Sequence, residues 1–208
     1  MPRTLRIPAA ITSLALAGWI CSAVAMQGMA DMEGPGTAAS FLWLWIAMSA
    51  AMMLPALVPA ASLAAQVGRS PAAFVGGYAV VWAATGMLAY EAADALAMAS
   101  TWLAAGALVL AAAYQLTPLK AACLRRCRGP LGPLLRRDAF AAGLEHGLVC
   151  LGCCWALMVA LLAVGTASLL WMAGVAAAIF VEKVTSVGAR ASIPIGVGLA
   201  GAAVWVAL

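Results

Sequence analysis

Apolar and polar positions alternate along this chain on a coarse scale, as long uncharged runs divided by short polar breaks. Seven runs stand out, at about 8–27, 38–62, 72–90, 97–118, 140–163, 167–182 and 191–208. Each approaches the roughly 20 residues that a helix needs to cross the hydrocarbon core of a bilayer. No water is available there to satisfy backbone N–H and C=O groups, so a helix is the form each run is expected to take. The period-two alternation of a membrane barrel is absent. The longest polar connection, 119–139, reads "LKAACLRRCRGPLGPLLRRDA". Its two prolines and two glycines predict a basic loop rather than a continued helix.

Composition strengthens this picture. Of 208 residues, 66% are hydrophobic and 9% are charged, whereas a soluble domain is about one quarter charged. The expectation is an all-α, polytopic membrane helical bundle, one integral membrane domain over 1–208. The first run has a basic start, an apolar middle and an "AVA" ending, which also describes a cleavable signal peptide. Its length favours a retained helix.

The net charge is +4, but the position of the basic residues argues for a membrane and against nucleic acid. With the N-terminus inside, all eleven fall on one face: Arg3, Arg6, Arg69, Lys120, Arg125, Arg126, Arg128, Arg136, Arg137, Lys183 and Arg190. Asp31, Glu33, Glu91 and Asp94 fall on the other. The positive-inside rule then predicts N-inside, C-outside topology with seven helices.

Candidate chemistry concentrates in "GLEHGLVCLGCCW", which contains the sole histidine. At helical spacing His146, Cys150, Cys153 and Cys154 project into about one quadrant of the helix. Thiolate and imidazole are the ligands that soft and borderline metals prefer, and thiolate suits Cu(I), zinc and iron–sulfur centres. Free cysteine also serves as a small apolar packing residue, but three together with the sole histidine on one face favour a metal. Gly143 and Gly147 on the same side would let another helix, or an ion, come close to the backbone.

Further ligands are sought among the thioethers, which select Cu(I) over zinc. Met48 and Met52 share a face of the second run with Pro55 and Pro59, Met53 lies to one side, and Pro55 should kink that helix. Met26, Met29 and Met32 follow at three-residue spacing beside Asp31 and Glu33, suited to capture of copper at an oxidising surface. Cys123 and Cys127 lie four apart among arginines, and adjacent cations favour the thiolate. Glu145 faces away from the cysteines and is expected to snorkel or to pair with Lys183. Glu182 and Lys183 themselves read as a helix-end anchor.

There is no nucleotide-binding loop for an ATP-driven pump, no histidine pair for haem, and no serine–histidine–carboxylate set. Binding is therefore expected rather than catalysis.

Together "AMSAAMMLPALVP", "YQLTPLKAACLRRCRGP", "GLEHGLVCLGCCWALM" and "FVEK" resemble the bacterial family catalogued as domain of unknown function 2182. The match covers roughly 40 to 185. The resemblance implies a small, multi-pass, metal-binding protein of the bacterial inner membrane, in some members associated with copper supply to oxidases. By motif it carries over Met48, Met52, Met53, Cys123, Cys127, His146, Cys150, Cys153 and Cys154. The function expected is Cu(I) handling, by transport or by delivery to a copper enzyme or a soluble or periplasmic copper chaperone. The alternatives are a thiol–disulfide oxidoreductase using the C-x-x-C-C cluster and a transporter of another soft ion. A homodimer is compatible with so small a bundle.

Overall fold

The computed structural model describes residues 3–28, 37–97, 101–164 and 168–208. Among these residues the chain is all-α, with nine helices: α1 (Arg3–Gly28), α2 (Ala38–Gln66), α3 (Pro71–Ala97), α4 (Thr101–Gln115), α5 (Pro118–Arg128), α6 (Leu131–Arg136), α7 (Ala139–Val164), α8 (Leu169–Val184) and α9 (Gly188–Ala207).

Local chemistry sets the helix ends. Thr37 caps α2, its hydroxyl accepting from the Ser40 N–H. Gly68 adopts φ +73 after the last turn of α2, a left-handed stop that suits glycine. Thr117 caps α5 by accepting from the Lys120 N–H, with Pro118 at the first helical position. The Asp138 carboxylate accepts from the Ala141 N–H at the start of α7.

The segment 119–139 is helical for most of its length rather than a loop. α5 and α6 occupy it, with a break at Gly129–Pro130. Proline is harmless at the first turn of a helix, so Pro118 and Pro133 open short helices here instead of preventing them. The direction of the chain does change, since α4 and α5 meet at a bend of 67°.

Five helices among the described residues are long and apolar enough to cross a membrane: α1, α2, α3, α7 and α9. Counting the bent α4–α5 pair as one crossing makes six. α4 and α8 have 15 and 16 residues. At about 1.5 Å per residue each is shorter than a hydrocarbon core of roughly 30 Å. Many large apolar side chains face outward, among them Leu88, Leu110, Leu170 and Trp205, a surface compatible with a membrane protein.

α7 is the centre of the bundle, packed by α3, α4, α5 and α8, while α2 packs on α1, α3 and α8. The closest helix pair rests on reciprocal glycines. A Cβ on Gly143 would collide with the Phe74 carbonyl, and one on Gly77 with the Phe140 carbonyl. Gly147 meets Val81 and the Tyr78 carbonyl in the same way. The glycines of "GLEHG" therefore admit a helix, α3, and not open space.

Candidate metal centre

α7 turns His146, Cys150, Cys153 and Cys154 inward, each no more than 5% exposed. Leu148 and Trp155 occupy its outward side. The Cys153 and Cys154 thiols point back along the helix and donate to the Cys150 carbonyl, at 3.1 and 2.9 Å. Cys150 and Cys154 sulfurs are 4.0 Å apart.

Because α3 approaches α7 so closely, its side chains reach the cluster. The Tyr78 hydroxyl hydrogen-bonds with Cys150 Sγ at 3.0 Å. The rings of Phe74 and Tyr78 stand 5.4 and 5.9 Å from the His146 imidazole. On another side α5 contributes Cys127, whose Sγ lies 3.9 Å from His146 Nε2. From α8 comes Lys183, whose ammonium donates to Cys150 Sγ at 2.8 Å and lies 3.8 Å from Met53 Sδ. Cys150 is thus the hub, touched by a phenol, an ammonium and a second thiol.

The sulfurs of Cys127, Cys150 and Cys153 all lie within 4.8 Å of one another, and all three residues are buried. Three thiolates bound to one ion at about 2.3 Å stand about 4 Å apart. Shifts of less than about one ångström would therefore close this triangle on a metal, and the donors are the soft kind. Cys154 and His146 stand at its edge.

A family model described as "PpoB2: Copper chaperone" matches residues 42–206. The chain belongs to this copper chaperone family. No curated protein matches, and no solved structure does. The copper-associated identity expected from the motifs holds at this family level. A copper chaperone needs soft donors that it can both load and release, and the buried cysteine cluster fits copper handling.

The other candidate ligands are placed differently. Cys123 is half-buried with its sulfur over Gly152, outside the three-cysteine group. Met48, Met52 and Met53 are buried in α2, within the same core as the α7 cysteines. Met53 Sδ lies 3.8 Å from the Lys183 ammonium, which also meets Cys150. Met26 is buried in the core on α1. Met29 and Met32, with Asp31 and Glu33, lie outside the described residues.

Three readings of charged residues are corrected. Glu145 pairs with Arg137 at 2.8 Å, not with Lys183. Lys183 is no helix-end anchor but a contact of Cys150. Glu182 is 2% exposed and bound to Lys120 at 2.8 Å, while Ser192 also donates to it at 2.8 Å. Lys120 donates in addition to Gln115. Lys120 therefore serves this buried network rather than the charged face. The signal available in sequence was the rule that ionisable residues beside apolar runs mark function by default. Tyr78 carries no comparable signal.

Proposed function

We propose that this protein is a multi-pass membrane protein that holds Cu(I) as cargo on the sulfurs of Cys127, Cys150 and Cys153 and passes it to a copper-dependent partner. The single observation that carries the reading is the buried triangle of three sulfurs within 4.8 Å, drawn from two helices of a copper chaperone family member. Soft donors favour Cu(I) over the harder divalent ions. His146 and Cys154, at the edge of the triangle, supply alternative donors, so that the ion changes partners one bond at a time. No external energy source is needed for such exchange. The long apolar helices and outward-facing leucines support a site within the bilayer.

Elemental analysis of the anaerobically purified protein tests this reading. Copper is expected to copurify with the wild type and to be lost from a Cys127→Ala/Cys150→Ala/Cys153→Ala variant. Unchanged copper stoichiometry in that variant would sink the assignment. Retention of zinc or mercuric ion in preference to Cu(I) in competition would replace the cargo while keeping the site.

A further inference from the structure

A polar cavity of about 240 Å³ opens beside the cysteine cluster, between the α5–α6 turn and α7. Arg126 and Arg136 stand at its mouth, Gly129 and Gly132 leave room in its wall, and Glu145 and His146 line it from α7. Both arginines are exposed, and His146 is 5% exposed. The cavity therefore leads from a charged surface to the imidazole whose Nε2 lies 3.9 Å from Cys127 Sγ.

Its charge is lopsided. The Glu145 carboxylate is taken up by Arg137, and Arg128 donates to the Glu182 and Thr185 carbonyls. Among the described residues the guanidinium groups of Arg126 and Arg136 have neither a hydrogen-bond nor an ion-pair partner. Two free guanidinium groups repel a bare metal cation and attract an anion, and guanidinium recognises carboxylate in particular. A mouth built to pass a cation in free form would carry the opposite sign.

We infer that this cavity docks an anionic low-molecular-weight thiol carrying Cu(I), with its carboxylates on Arg126 and Arg136 and the metal presented to His146. The inference rests on the copper-handling reading and names the form in which the cargo meets the site. A cavity of this volume is near the lower end of the range of small-molecule pockets. Transfer is ligand exchange without redox chemistry. Each carrier sulfur–copper bond that breaks is replaced by a bond from copper to Cys127, Cys150 or Cys153. Copper remains Cu(I), and the proton given up by each protein thiol leaves on the carrier thiolate as it departs as the thiol.

The test uses the full chain in zwitterionic lipid nanodiscs and follows Cu(I) transfer from its glutathione complex and from its complex with the neutral thiol β-mercaptoethanol. Transfer from glutathione is expected to be saturable and about tenfold faster at low ionic strength, and to lose that advantage in salt. Arg126→Gln/Arg136→Gln should abolish the advantage and leave the neutral carrier's rate and the final copper stoichiometry unchanged. Equal rates from both carriers in the wild type, or an undiminished advantage in the double arginine variant, overturn the inference. So does an advantage that never saturates and disappears when anionic phospholipid is added, since the arginines then hold lipid headgroups. Failure of the underlying reading looks different: no copper is bound at equilibrium from either carrier.

Discussion

At the scale of single residues, Cys150 carries the arrangement. It lies one helical turn from His146 and from Cys154, so three donors stack on one face by local geometry. Its other contacts come from distant parts of the chain, the Tyr78 hydroxyl at 3.0 Å and the Lys183 ammonium at 2.8 Å. Groups that orient a metal ligand without binding the ion commonly change affinity by about 10–100-fold when removed. Tyr78→Phe keeps the ring against His146 and removes the hydrogen bond. It is expected to lower Cu(I) affinity by about tenfold without changing the copper stoichiometry, read by competition with a chromophoric Cu(I) chelator. An unchanged affinity would make Tyr78 a packing residue only.

At the scale of helices, the site depends on how closely α3 lies against α7. Gly77 and Gly143 face the backbone of the opposite helix, and neither has space for a Cβ. Gly143→Ala must push the helices apart, and overpacking of this kind costs about 1–3 kcal/mol. The expected result is a lowered unfolding temperature in detergent, together with weaker copper binding as Tyr78 leaves Cys150. Adding Gly77→Ala should cost less than the sum of the single changes, because both wedge the same contact. A second helical device works at the other side of α7. The Tyr114 hydroxyl donates to the Gly152 carbonyl, and its ring packs edge-on against Trp155 at 5.0 Å. α4 is thereby anchored next to Cys153, although it has only 15 residues.

At the scale of the whole molecule, four helices converge on a buried polar network: Gln115 from α4, Lys120 from α5, Glu182 from α8 and Ser192 from α9. Lys120 and Glu182 are 1% and 2% exposed. Breaking such a pair strands a buried charge and costs about 3–5 kcal/mol, whereas replacing both partners with apolar residues is often nearly neutral. Lys120→Met alone is therefore expected to destabilise the protein strongly, and Lys120→Met/Glu182→Leu to recover much of the loss in thermal unfolding. Equal losses in the single and double variants would show that the pair is not coupled. The network also holds α8 in register, because Glu182 and Lys183 are consecutive. One carboxylate binds the network while the next side chain reaches Cys150.

Local periodicity was enough to give the helical class and the inward face of α7, because both depend on residues within a few turns of each other. The motifs also carried the copper association that the family match supports. What periodicity cannot convey is which helix lies opposite. Cys123 and Cys127 look equivalent in sequence, but the packing of α5 on α7 brings Cys127 to the cluster and lays Cys123 over Gly152. The methionines of α2 share the buried core with the cysteines, and Met53 Sδ stands 3.8 Å from the Lys183 ammonium that meets Cys150. Lys183 looked like an anchor until the packing of α8 turned it onto Cys150. Sequence by itself determined the helical faces and the soft donors they carry. Tertiary structure alone decided which donors meet, because that choice rests on close backbone approach at Gly77 and Gly143 and on a buried ion pair between residues 62 positions apart.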